Sequence, residues 1–74
     1  MIADLDINIG RRLRVSRDGR GLSARVAARL LGCSYQWLGE LERGKRKASI
    51  AWLMRLGDLY GVSIDWIVRG DRGK

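Results

Sequence analysis

The run from Ala27 to Gly44, AARLLGCSYQWLGELERG, leaves few folds open to this chain. Ala27, Ala28 and Leu31 form one apolar stripe at helical spacing, and Leu38 and Leu41 form the next. Gly32 stands just past the first stripe, where a left-handed residue lets a helix stop and turn sharply. Ser34 is a good N-cap for a second helix. Two short amphipathic helices are therefore predicted, joined by a turn of about three residues.

The same punctuation recurs along the chain. Ser23 opens the second helix and Gly32 closes it; Ser34 and Gly44 bound the third, Ser49 and Gly61 the fourth, Ser63 and Gly70 the fifth. A first helix is predicted from about Asn8 to Ser16 or Arg17, with Ile9 and Leu13 facing inwards and Gly19 and Gly21 after it. Ile50, Leu53, Leu56 and Tyr60 share one face of the fourth helix; Trp66 and Ile67 are the buried residues of the fifth. No stretch alternates like a strand. The expected fold is all-α, with five helices and a core including Ile9, Leu13, Ala28, Leu31, Leu38, Leu41, Leu53, Leu56, Val62 and Trp66. With 74 residues this is one domain with one small core. Its parts are an N-terminal extension (1–8), the folded domain (9–71) and a short tail (72–74), with residues 71–74 expected to fray.

Composition narrows the function. There is no histidine, and Cys33 is the single cysteine. The sequence thus offers no catalytic residue, no metal site and no cofactor motif, and an enzyme is not expected. Cys33 reads as a small buried hydrophobe. No apolar run approaches the roughly 18 residues of a membrane span, so no membrane partner is expected and the expected location is cytoplasmic. The charge is uneven. Of the net +7, residues 9–47 carry +8, from eleven Arg and Lys against Asp18, Glu40 and Glu42. Residues 1–8 carry −2 and residues 48–74 carry +1. The positive field belongs to the half that holds the paired helices, which is the sequence form of a helix-turn-helix. Double-stranded DNA is the expected partner.

Taken together, Ile9-Gly10, Arg17, Leu22-Ser23, Ala28, Leu31-Gly32, Glu42-Arg43-Gly44-Lys45 and Gly61-Val62-Ser63-Ile64-Asp65-Trp66 resemble the phage repressor and Cro-type (XRE) helix-turn-helix family. The resemblance runs from Ile9 to Asp71. It implies a lambda-repressor-like five-helix bundle acting as a sequence-specific regulator of transcription, a small bacterial or phage repressor. The third helix would enter the major groove and the protein would pair as a homodimer on DNA, around Ile64, Val68 and Arg69. The resemblance also implies a partly buried Arg17–Glu42 ion pair tying the first helix to the third, so Glu42 is structural rather than a base reader.

The expected DNA-binding residues are Arg25, Ser34, Tyr35, Gln36, Trp37, Gly39, Glu40, Arg43, Lys45, Arg46 and Lys47. Gln36 can make a bidentate contact to adenine. Tyr35 can bond a phosphate or pack on a thymine methyl. Glycine inside a helix costs about 1 kcal/mol relative to alanine; close approach of DNA is one reason to accept it at Gly39. Glu40 can accept from cytosine or hold Gln36. Lys45, Arg46 and Lys47 come after the third helix, in a loop expected to lie along the phosphates, with at least one of the three in contact.

Other residues depart from the family pattern. Ala24 replaces a usual Gln that clamps a phosphate. Val26, Leu30 and Trp37 are apolar where polar residues are usual, and Trp52 is a further departure. The alternative function is accordingly a protein-interaction module, of antitoxin or co-regulator type, with altered operator contacts. Its partner would dock through Val26, Leu30 and Trp37, unless Ile2 and Leu5 cover that stripe. One regularity stands without a function: Trp37, Trp52 and Trp66 each lie three residues beyond a capping serine.

Overall fold

A computed structural model describes residues 4–70, which form five helices and no strand. They are α1 (Asp4–Gly19), α2 (Ala24–Leu31), α3 (Tyr35–Glu42), α4 (Ile50–Tyr60) and α5 (Ile64–Arg69). Ile2, the expected tail (72–74) and the stretch 71–74 expected to fray lie outside the described residues.

The serine punctuation has a uniform structural meaning. Each of Ser23, Ser34, Ser49 and Ser63 is extended, and its hydroxyl accepts from the backbone N–H three residues on, at 3.0–3.2 Å. One otherwise orphan N–H is satisfied at each helix start, worth about 1 kcal/mol apiece. Gly32 adopts a left-handed φ of 76° and ends α2, its N–H reaching back to the carbonyl of Ala28 at 2.8 Å. Only α3 stops earlier than expected: Arg43 caps it, and Gly44 belongs to the turn beyond.

The first helix is longer than its sequence signals predict. It begins four residues before Asn8 and runs on to Gly19. Asp4 and Asp6 sit in its first turn and Arg17 in its last, each complementing the helix dipole. Residues 4–8, within the expected N-terminal extension, are part of α1.

The core is Leu13, Ala27, Ala28, Leu31, Leu38, Leu41, Leu53, Leu56, Tyr60 and Ile67. Ile9, Val62 and Trp66 pack against it and are only partly buried. Ile67, rather than the bulkier Trp66, is the residue that α5 buries completely. Ile50, which is not among the expected core residues, stands outside the core. It is 64% exposed, because it starts α4 one turn beyond the edge of the core that Leu53, Leu56 and Tyr60 enter.

Helix α1 packs against α3, α4 and α5 and so sets the frame of the domain. Gly10 allows its approach to the end of α3. A Cβ there would collide with the carbonyl oxygen of Leu41 and come within 2.6 Å of that of Glu42. At the other side, Arg12 donates to the carbonyls of Ile67 and Val68 at 2.9 and 3.0 Å. These are late carbonyls of α5, two of those a helix end leaves without partners.

Candidate nucleic-acid interface

Helix α3 has two faces. Leu38 and Leu41 point into the core. Tyr35 and Gln36 are exposed, and with Gly39, Glu40 and Arg43 they line a shallow concavity of about 170 Å³. Five of the expected DNA-binding residues therefore share one surface. All of it lies on α3 and its C-cap, outside the core.

Neighbours place two of these side chains, those of Tyr35 and Glu40. The Arg25 guanidinium, from α2, lies 4.3 Å over the centre of the Tyr35 ring, which joins the two helices at the start of α3. Gly39 stands close to the side chain of Arg43. A Cβ there would meet the guanidinium of Arg43 at 3.3 Å. Ser34 serves as the N-cap of α3, its oxygen accepting from the N–H of Trp37 at 3.0 Å. Its own proton remains available to a phosphate oxygen.

Glu40 does not hold Gln36. Its carboxylate takes the Arg46 Nε at 2.7 Å, and that hydrogen bond pulls its pKa below the usual carboxylate range. Lys47 pairs with Asp6 at 2.8 Å. Two of the three cations in the loop after α3 thus carry intramolecular carboxylates. Lys45 is exposed and makes no ion pair among the described residues.

The frame beneath the outer face of α3 is ionic. Arg17 grips Glu42 with two hydrogen bonds, at 2.7 and 2.9 Å, and also donates to the carbonyl of Leu22. The bond to Glu42 raises the Arg17 pKa further above its ordinary value. This fixes α1, the entry to α2 and the end of α3 together, and places Glu42 beneath the surface as a structural group.

Trp37 differs from its neighbours Tyr35 and Gln36 in exposure. It is half-buried, with its ring 4.9 Å from that of Trp52 and tilted by 46°. Arg55 lies 4.6 Å over the Trp52 ring and donates to the carbonyl of Leu31, the last residue of α2. No local sequence signal marks Arg55 for this role. For the indole pair, the recurring Ser-x-x-Trp spacing is the available signal. Trp37 therefore does not join Val26 and Leu30 in an open apolar surface. Leu30 is 58% exposed and lines a shallow hollow with Leu22, Leu59, Gly19 and Arg20. Cys33 is half-buried against the core, and burial pushes its thiol pKa up, so it is a packing residue rather than a reactive thiolate.

The profile of the helix-turn-helix domain family matches residues 8–67. The chain belongs to this family. It is 39% identical over 56 residues to the uncharacterized HTH-type transcriptional regulator YazB of Bacillus subtilis (strain 168), covering 76% of this chain and 81% of that protein. It is 34% identical over 61 residues to the SPbeta prophage-derived uncharacterized HTH-type transcriptional regulator YonR of the same organism. That match takes in 82% of this chain but only 56% of YonR. Among solved structures, the restriction-modification controller protein C.AhdI from Aeromonas hydrophila superposes with a TM-score of 0.75 at 30% identity, over 82% of this chain and 92% of that one. The DNA-binding domain of BldD from S. venezulae gives 0.79 at 26% identity, over 89% and 99%. The fold and the placement of the paired helices are thus those of the family. No helix among the described residues is long and apolar enough to cross a membrane.

Proposed function

We propose that this helix-turn-helix domain is a sequence-specific, double-stranded DNA-binding regulator of transcription that reads its operator with α3 and acts as a homodimer. The observation that carries the reading is the concave outer face of α3, formed by Tyr35, Gln36, Gly39, Glu40 and Arg43, within a region of net positive charge. Gln36 is the candidate for a bidentate contact to adenine, and the Glu40 carboxylate can accept from cytosine N4. Tyr35 with Arg25, Ser34 at the helix start, Arg43 and the Lys45–Lys47 loop are the candidates for phosphate contact, which fixes register without reading sequence. The names of the similar proteins, transcriptional regulators and controller proteins, support the same role.

The test is selection from a pool of random duplexes. The wild-type chain is expected to enrich one motif. Gln36→Ala is then expected to weaken binding to the selected duplex by about 1–3 kcal/mol while barely changing affinity for random sequence. A chain that binds no duplex even at low salt would sink the reading.

A further inference from the structure

We propose that Trp52 and Arg55, both on α4 and neither on the reading helix, are positioning residues that set the sequence selectivity of α3. The proposal rests on the DNA-reading function above.

Helix α4 grips both helices of the motif. Trp52 meets the ring of Trp37, and Trp37 is the residue after Gln36, in the first turn of α3. Arg55 is one turn further along α4. It covers the Trp52 ring and holds the carbonyl of Leu31, at the end of α2. One continuous stack thus ties α4 to α2 and α3, on either side of the Gly32 turn. Indole rings have few rotatable bonds, and a guanidinium that is both stacked and hydrogen-bonded is fixed in plane as well as position.

Selectivity is sensitive to such a brace in a way that raw affinity is not. Helix α3 has eight residues, so it is about 12 Å long. A tilt of about 10° about its far end moves the Gln36 end by about 2 Å. The hydrogen bonds of a base contact tolerate only about 0.5 Å in length. Long Lys and Arg side chains reach phosphates through several rotatable bonds and absorb such a shift. Loosening the brace should therefore degrade base reading and leave phosphate binding intact.

The experiment uses the full chain, its selected duplex and a random duplex, titrated at several salt concentrations. Trp52→Leu removes the ring, Trp52→Phe keeps an aromatic face, and Arg55→Gln removes the cation at an exposed position, so no charge or cavity is left in the core. Trp52→Leu and Arg55→Gln are expected to lower the selected-over-random affinity ratio about tenfold, the value of one good base contact. Random-duplex affinity and the salt slope should stay within about twofold and about 0.5 of wild type. Trp52→Phe should retain most of the selectivity. A ratio unchanged in Arg55→Gln overturns the proposal, and that variant decides if Trp52→Leu fails to fold. A parallel fall in both affinities with a flatter salt slope also overturns it, since Arg55 is then a phosphate contact. A wild-type chain that enriches no motif overturns the proposed function itself, whereas a selective wild type with an equally selective Arg55→Gln overturns only the brace.

Discussion

Arg17 and Glu42 meet fork to fork, Nε to Oε2 at 2.7 Å and Nη2 to Oε1 at 2.9 Å, with side chains only 9% and 6% exposed. The pair is the fixed point from which the reading face is built. Glu42 is the last residue of α3, and Arg17 also holds the chain entering α2 through the carbonyl of Leu22. A carboxylate so placed is a structural group even though its neighbours on α3 face outwards.

Removing one partner leaves the other charge buried and alone. Arg17→Ala and Glu42→Ala are each expected to destabilise the fold by about 3–5 kcal/mol. Arg17→Met combined with Glu42→Leu should lose clearly less than the sum of the singles, because no charge is stranded. Urea melts of the four proteins measure this. Single variants as stable as wild type would show that the pair does not hold the helices.

Much of the fold was legible because its signals are local. A serine hydroxyl reaching the third N–H and a glycine taking a left-handed turn are written within four residues of the helix ends they mark, so the starts of α2 to α5 and the ends of all but α3, which Arg43 caps, could be bounded from sequence. The start of α1 was not, because its support is distant: Asp6 is held by Lys47 and Ile7 packs against Gly44. That Gln36 and its neighbours share the outer face of α3 was legible from their position relative to Leu38 and Leu41. The indole stack was visible only as an unexplained spacing, since nothing in a sequence says that two residues on different helices will touch. Arg12 and Arg55 were illegible for the same reason: each bonds the end of a helix remote in sequence.

Tyr60 carries a titration that the core conceals. It is 2% exposed and its hydroxyl has no hydrogen-bond partner among the described residues. Burial, and then the Glu42 carboxylate, push its pKa well above the ordinary value. In the unfolded chain the phenol ionises near pH ~10, while the folded chain keeps it neutral. The stability it contributes is therefore complete below pH ~10 and is lost as pH rises from there through the raised folded pKa. Tyr60→Phe should be close to wild type in stability at neutral pH, since an unpartnered hydroxyl gains nothing by being present. It should also show a shallower decline above pH ~10. Equal slopes for the two proteins in melts taken across that range would exclude a buried, neutral phenol.

The loop after α3 bears on salt dependence. Arg46 and Lys47 are engaged by Glu40 and Asp6, so Lys45 is the cation with the fewest claims on it. Lys45→Ala is expected to flatten the plot of log K against log salt by about 0.9, one phosphate's worth. Glu40→Gln releases Arg46 and removes a negative charge from the reading face, so affinity for random duplex should rise while selectivity falls. If replacing Lys45, Arg46 and Lys47 together with alanine leaves the slope untouched, the loop is not in the interface.

A single eight-residue reading helix spans only a few base pairs, too few for tight and specific binding. Two copies related by a two-fold axis, with reading helices about 34–36 Å apart, solve this on a pseudo-palindromic site. Such an axis demands one self-complementary patch. The candidate is α5, where Ile64 and Val68 are half-buried and Arg69 is exposed beside Asp65. Arg12 braces the same helix through backbone carbonyls alone, so a change of side chain at Val68 leaves that brace in place. Val68→Asp puts two like charges face to face across the axis. It should abolish cooperative binding to a duplex with two half-sites, leave affinity for one half-site unchanged, and leave the far-UV circular dichroism of the free protein helical. A variant that binds the two-half-site duplex as tightly as wild type would place the dimer contact elsewhere than on α5.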